Sequence, residues 1–299
     1  MDTSTATNMT QTLEAMRAAK RRKEKIKLVL SYVVIVVIGA ALLYPIIWMF
    51  FAAFKTNDEI FGSVALLPKS FSFQNFIDGW KSAGIYTYTQ YFINSFVMVV
   101  PTVLFTLISS SLVAYGFARF RFPLKKQLFG LLIATLMLPN AVIIIPRYTL
   151  FNKFGWVDSY LPFWIPAIFA CAPFFVYMLI QFMRGIPMDL DESACIDGCG
   201  TFRVFWQILM PLMKPALFSA GLFQFLWTYN DYFNSLIYIN SVKKFTVSLA
   251  LRLSLDAESV VVWGKVMAMA CVAVLPLIVI FFAAQKYFVE GIATSGLKG

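Results

Sequence analysis

Histidine is absent from this 299-residue chain, and charge is scarce, with Asp, Glu, Lys and Arg together making up 13% of residues. A soluble domain carries about 25% charged residues, so a water-exposed surface of ordinary composition is excluded. Without histidine there is no Ser–His dyad and no His-ligated metal, and 15 acidic residues, few of them in apolar surroundings, leave little material for paired-carboxylate chemistry. Cysteine is also rare. Cys171 and Cys271 lie inside apolar runs, where a small polarizable side chain packs. Cys195 and Cys199 stand one helical turn apart, yet nothing nearby completes a tetrahedral set, so no metal is expected. A phosphate-cradling loop is missing as well. Gly264-Lys265 is the one Gly-Lys pair, and no glycine stands five residues before Gly264. The chain is not expected to be an enzyme or to bind a cofactor.

What is present is hydrophobic: 60% of residues are apolar and the mean hydropathy is +0.75. Lipid is the solvent for most of such a chain. A hydrocarbon core about 30 Å thick takes about 20 apolar residues in a helix. Six stretches meet that length: Leu28 to Phe51, Tyr91 to Phe117, Leu128 to Leu150, Tyr160 to Phe182, Ala216 to Ile239 and Val260 to Phe288. The expected fold is an all-α membrane protein with about six transmembrane helices. It divides into a basic N-terminal arm, residues 1–27, and a membrane domain, residues 28–299. The run after the arm is too long for a cleaved signal segment and reads as a retained first span.

The net charge of +10 does not point to nucleic acid, because the basic residues flank apolar runs instead of sharing one polar surface. One side of the membrane receives Arg17, Lys20, Arg21, Arg22, Lys23, Lys25 and Lys27, then Arg119, Arg121, Lys125 and Lys126, then Arg184, Arg203 and Lys214, and finally Lys286 and Lys298. The other side receives Lys55, Lys69, Lys81, Arg147, Lys153, Lys243, Lys244, Arg252 and Lys265, offset in part by acids. The bias puts both termini in the cytoplasm. Prolines interrupt several spans: Pro101, Pro139, Pro146, Pro162, Pro166, Pro173 and Pro276. Each removes a backbone hydrogen bond, which lipid tolerates only where neighbouring helices or a water-lined cavity satisfy the freed carbonyl. Ordinary kinks and a substrate path along the third and fourth spans both fit that pattern.

Between the fourth and fifth spans, residues 183–215 are too polar for the membrane and too patterned for a linker. A short helix is expected after Pro187, with Asp189 as cap, Glu192 reaching back to it, and Gly198 ending it. A second helix follows from Thr201, with Phe202, Phe205, Trp206, Leu209 and Met213 forming one apolar face, and Pro211 and Pro215 turning the chain into the fifth span. Physical chemistry alone leaves two readings of equal weight. The pair is either a docking element for a cytoplasmic partner or an interfacial re-entry device without one.

The spacing Glu192-Ser193-Ala194, three residues, Gly198, nine residues, Ile208-Leu209-Met210-Pro211 resembles the EAA loop of ABC importer permeases, Glu-Ala-Ala, three residues, Gly, nine residues, Ile-x-Leu-Pro. Ser193 and Met210 are mild departures. Asn94-Ser95, Ala114-Tyr115, the run from Arg119 to Pro123, the run from Tyr229 to Tyr232 and the run from Gln285 to Gly291 extend the likeness to the carbohydrate, maltose-transporter-like branch. The resemblance implies that Asp189, Glu192, Ser193, Ala194, Asp197, Gly198, Ile208 and Pro211 couple the chain to a separate cytoplasmic ATPase. It also implies a second homologous permease subunit, two ATPase copies that use ATP and Mg, an extracytoplasmic solute-binding protein docking on Ala52 to Gln90 and Asn240 to Ser259, and a bacterial inner membrane. The substrate expected on that basis is a sugar or oligosaccharide. An ion-coupled secondary transporter is the alternative, but coupling charges near the midplane and matching repeat halves are not evident.

A sugar path calls for amides beside aromatic faces. Asn140, Gln181, Gln224, Trp227, Asn230, Asp231 and Asn234 are the candidates within spans. Asp231 lies so far along its helix, about 22 Å from Ala216, that a structural or solvated role is favoured for it over substrate contact.

Overall fold

The computed structural model describes residues 3–81, 85–255 and 261–296, with side chains for 20, 22–81, 85–255 and 261–285. The side chains of most of the basic arm, Lys286, the whole of Lys298, and all but the first residue of the run from Gln285 to Gly291 therefore lie outside the described residues. So do residues 82–84 and 256–260 of the two outer-loop candidates. Among the described residues the regular structure is entirely helical.

The first helix, α1 (Thr3–Ala52), runs unbroken from the arm through the first span. Two short helices follow, α2 (Asn57–Gly62) and α3 (Gln74–Lys81), then the long α4 (Tyr88–Arg119). Next come α5 (Lys125–Leu136), α6 (Asn140–Lys153), α7 (Leu161–Ile168) and α8 (Pro173–Arg184). The loop region holds α9 (Asp189–Ile196), then α10 (Thr201–Arg203), a π-helical turn (Val204–Leu209) and α11 (Met210–Leu212) in continuous succession. The chain closes with α12 (Lys214–Tyr229), α13 (Tyr232–Tyr238), a 3-10 turn (Val242–Lys244), α14 (Val247–Leu253) and α15 (Trp263–Gly296).

Among the described residues, four helical stretches are long and apolar enough to cross a bilayer: Arg22–Ala52, Tyr88–Arg119, Leu161–Arg184 and Trp263–Gln285. Two bent pairs raise the number to six. The third span is not the single rod expected over Leu128 to Leu150. It breaks between α5 and α6 with a bend of 103°. Pro139 has no N–H to continue the α5 ladder, and it disfavours helical backbone at Leu138 before it. The fifth span differs too. α12 stops at Tyr229, well short of Ile239, and its upstream partner Thr201–Leu212 meets it at 76°.

The bundle is organised on α4, whose buried face is a stripe of small and polar residues: Asn94, Ser95, Thr102, Thr106, Ser109, Ser110, Ser111 and Ala114. Small residues let helices approach closely in lipid, and hydroxyls there bond to carbonyls. Ser109 Oγ donates to the Ala167 carbonyl of α7 at 2.6 Å. Near Pro101, the Met98 carbonyl accepts from Thr102 Oγ1 at 2.7 Å and from Trp164 Nε1 at 3.1 Å, and the second bond ties α4 to α7. The main apolar core lies at the Arg119 end, where Phe175, Val176, Leu179, Ile180 and Met183 of α8 meet Ala114, Leu209, Met213 and Ala220.

At the Tyr88 end the last turn of α1 meets α3 and the start of α15. Asn75 Nδ2 donates to the carbonyls of Ala53 and Lys55, and the Asn57 side chain bridges the Val261 carbonyl and the Trp263 N–H. Gly264 sits where a Cβ would collide with the Lys55 carbonyl and the Asn75 amide, so only glycine fits. The apolar stretch of α1, by contrast, has no residue of its most hydropathic window buried.

Candidate functional site

The loop helix α9 forms without the cap expected for it. Its first turn holds Asp189, Asp191 and Glu192, but there is no side-chain cap bond. Met188 before it is already helical, and its carbonyl accepts the N–H groups of both Asp191 and Glu192. Capping needs extended backbone at the preceding residue, so the acids act there through charge at the positive helix end. The far end matches expectation. Gly198 has φ +80°, its N–H bonds to the Cys195 carbonyl, and the Cys199 N–H bonds to the Ala194 carbonyl at 2.9 Å. That double closure through a left-handed residue is a Schellman motif. Ser193 in place of alanine is accommodated because its Oγ bonds back to the Asp189 carbonyl at 2.8 Å.

α9 has two unlike sides. Ala194 is buried against the core that includes Val204, Leu209 and Met213. Asp189, Glu192, Ser193, Cys195 and Asp197 are exposed, and Ile196 is 87% exposed, with Phe202 nearby in sequence at 68%. The apolar face expected for the second helix is split. Phe205, Leu209 and Met213 are buried, joined by Val204, whereas Phe202 and Trp206 stay outside. The cause is the π turn, in which the Met210 N–H reaches the Phe205 carbonyl, so the i, i+3, i+4 register does not hold across it. Ile208 is half-buried against the same core, and Pro211 is exposed in the first turn of α11.

Three contacts from the last turn of α4 reach this loop. Arg119 Nε lies 2.6 Å from Asp191 Oδ2, with the two side chains 6% and 14% exposed. Arg119 Nη2 donates to the Ile186 carbonyl at 3.1 Å, and the Tyr115 hydroxyl donates to the Thr201 carbonyl at 2.9 Å. The Arg119–Asp191 contact is an ion pair without hydrogen-bond geometry, and the Asp191 carboxylate oxygens find no hydrogen-bond donor. Burial pushes the Asp191 carboxyl above its ordinary range; the Arg119 charge pulls the other way and Glu192 adds to the rise. Asp191 and Arg119 were not among the residues expected to act here. The acids at the start of the short helix were equivalent in sequence, and only the fold selects the one that faces α4.

A half-open cavity of about 160 Å³, part polar and part apolar, lies among the helices. Thr102 and Thr106 of α4, Arg147 of α6, residues from Pro162 to Ala172, Gln224 and Thr228 of α12, and Asp231, Asn234 and Tyr238 line it. Of the expected path residues, Gln224, Asp231 and Asn234 are in this lining. Asn140 joins them through a chain of contacts: Arg147 Nη1 donates to Asn140 Oδ1, Asn140 Nδ2 to Asn234 Oδ1, both at 3.4 Å, and Asn234 Nδ2 to Asp231 Oδ2 at 2.8 Å. Gln224 Nε2 donates to Thr228 Oγ1 at 2.8 Å.

The other three path candidates lie elsewhere. Trp227 is exposed and packs its ring against Phe174, Phe175 and Phe223. Asn230 bonds back to the Leu226 carbonyl as α12 ends, and Gln181 is exposed on α8. The Asp231 carboxylate caps α13 by accepting the Asn234 N–H at 3.0 Å. It also borders the cavity. Arg147, counted by charge as an outer-loop residue, instead sits within α6 and faces the cavity, because the break at Pro139 turns α6 back against the bundle.

Beside Tyr238, which lines the cavity, Asp158 ties two loops together. Asp158, at φ 59°, donates its N–H to the carbonyl of Tyr238 at 2.7 Å. Its carboxylate accepts from the N–H groups of Asn240 and Ser241, from Ser241 Oγ at 2.6 Å and from Lys244 Nζ at 3.0 Å. Burial opposes its ionisation, but the hydrogen bonds from Ser241, Lys244 and Asn240 outweigh it and hold the carboxyl well below the usual carboxylate range.

Residues 107–294 match the family model described as binding-protein-dependent transport system inner membrane component. The chain is 32% identical over 259 residues to the probable ABC transporter permease protein YurM of Bacillus subtilis, covering 87% of this chain and 85% of that one. It is 27% identical to the trehalose/maltose transport system permease protein MalG of Thermococcus litoralis, covering 93% and 99%. It is 32% identical to the arabinooligosaccharides transport system permease protein AraQ of Bacillus subtilis, covering 86% and 91%. The fold matches a chain in the crystal structure of a bacterial ABC transporter involved in the import of the acidic polysaccharide alginate, with a TM-score of 0.78 and 20% identity, covering 89% of this chain and 98% of that one.

Proposed function

Because this chain belongs to the family of binding-protein-dependent transport system inner membrane components, the permeases of ABC importers, we propose that it is one of two homologous permease subunits that carry a sugar or oligosaccharide across the bacterial inner membrane. In this reading the energy comes from two copies of a separate cytoplasmic ATPase, which bind ATP and Mg, and the cargo arrives on an extracytoplasmic solute-binding protein. Residues 28–299 form the membrane domain, and residues 1–27, both termini and α9 lie in the cytoplasm.

The observation that carries the proposal is the two-sided character of α9. Ala194 anchors it to the bundle, while Ile196, flanked by Glu192 and Asp197, is left outside in a loop too polar for lipid. An exposed apolar side chain ringed by acids suits a groove on a partner protein. Gly198 fixes the exit of the helix, and Ile208 and Pro211 fix the start of the return. Sugar cargo is supported by the relatives that transport trehalose or maltose and arabinooligosaccharides, and by a cavity lined with amide and hydroxyl groups. At about 160 Å³ that cavity is smaller than the roughly 300–1,000 Å³ of a complete small-molecule site. One chain therefore supplies part of the path, and its homologous partner supplies the rest.

Co-purification tests the proposal. The subunit should leave the membrane together with an ATPase, and uptake should stop when ATP is depleted under an intact proton gradient. Uptake that continues would instead support an ion-coupled transporter.

A further inference from the structure

α9 is eight residues long, and its one buried side chain, Ala194, is small. Apolar contact of that size holds a helix against a surface without setting its tilt. Polar contacts must do so, and among the described residues two hydrogen bonds and one ion pair come from α4, where Tyr115 and Arg119 stand four residues apart on one face. They grip the loop before, on and after α9: the Ile186 carbonyl, the Asp191 carboxylate and the Thr201 carbonyl. The two charged side chains are 6% and 14% exposed, so solvent screens their attraction little and it adds to the two hydrogen bonds that hold the loop to α4.

α4 then continues from Arg119 to Thr106 and Thr102, which line the cavity, without a proline on the way. The 13 residues from Thr106 to Arg119 span about 20 Å. We propose that Tyr115 and Arg119 are positioning residues that join α9 to α4 as one body, so that a displacement of α9 by the ATPase reaches the cavity through α4. This rests on α9 being the ATPase-docking helix. α9 is also bonded covalently to α8 on one side and to the α10–α12 segment on the other, and the proposal is that these connections alone are insufficient.

The test uses the full transporter, with both permease subunits, ATPase and solute-binding protein, reconstituted in lipid vesicles, and reads sugar molecules moved per ATP hydrolysed. Asp191→Asn and Arg119→Gln should each lower that ratio about tenfold, and the double variant should lower it no further, because residues joined in one contact do not act additively. Tyr115→Phe removes one oxygen and keeps the ring on Phe205; it should give a smaller loss in the same direction, with complex yield unchanged. Losses that multiply in the double variant would overturn the proposal, as would an unchanged ratio in both Asp191→Asn and Tyr115→Phe. A wild-type subunit that neither binds an ATPase nor needs ATP would count against the importer reading itself.

Discussion

Lys244 Nζ lies 3.0 Å from Asp158 Oδ2 and bonds also to the Asp158 carbonyl at 2.5 Å, so one lysine closes both ends of the residue that ties the loop after α13 to the turn before α7. Hydrogen bonds to a charged group each contribute about 1.5–3 kcal/mol. Asp158→Asn keeps a side chain tolerant of the left-handed backbone but loses the charge. It should lower the thermal stability of the purified subunit by about 2 kcal/mol and speed amide exchange at Asn240 and Ser241.

The same carboxyl gives a pH expectation. Its folded-state pKa is depressed by the hydrogen bonds it accepts, so its stabilisation is complete above the unfolded value of about 3.9 and is lost as pH falls through the lower folded value. Protection of the Asn240 and Ser241 amides, corrected for intrinsic exchange, should stay level from neutral pH down to about pH 4 and decline only below that. A decline already between pH 6 and pH 5 would contradict the assignment.

Gly198 closes α9 at φ +80°, and a Cβ there would meet nothing within 4 Å. The penalty of Gly198→Ala is therefore one of backbone alone, about 1–2 kcal/mol. Gly198→Asn, more tolerant of that backbone, should recover most of the loss. Loosening the helix end should reduce ATPase retention on purification in the order glycine, asparagine, alanine.

Glu192 is exposed and makes no cap. Glu192→Lys should weaken ATPase docking and ATP turnover of the assembled complex while leaving membrane insertion at the wild-type level. Normal assembly and turnover in that variant would refute its docking role.

Position relative to the cavity separates the amides. Gln224→Ala removes a lining group, whereas Gln181 lies outside the lining. The first substitution should lower the maximal rate of uptake about tenfold, a loss of about 1.4 kcal/mol of contact along the path, and Gln181→Ala should leave it unchanged.

Much of the fold was legible because lipid imposes a length. The spans read as Tyr91 to Phe117 and Tyr160 to Phe182 became Tyr88–Arg119 and Leu161–Arg184. Apolar runs do not report direction, however, and Pro139, where the chain bends by 103°, reads in sequence like Pro101, which lies inside the unbroken α4. For the same reason Arg147 was assigned to a loop, since a charge near the end of an apolar run is ordinarily outside it. The left-handed end of α9 was visible in Gly198, because few residues suit that backbone. The pairing of Asp191 with Arg119 was not, because it joins two separate elements and leaves no local spacing to read.

The π turn over Val204–Leu209 bears on how this region tolerates change in length. A π turn is the geometry a helix adopts when it holds one residue more than its regular winding needs, with both flanks kept in phase. A chain shortened by one residue between Phe205 and Ile208 would wind there as plain α-helix, with Thr201 still beneath Tyr115 and Met213 still in the core. The separation of Gly198 from Pro211, which equals that of the EAA pattern, thus includes one residue wound into the π turn.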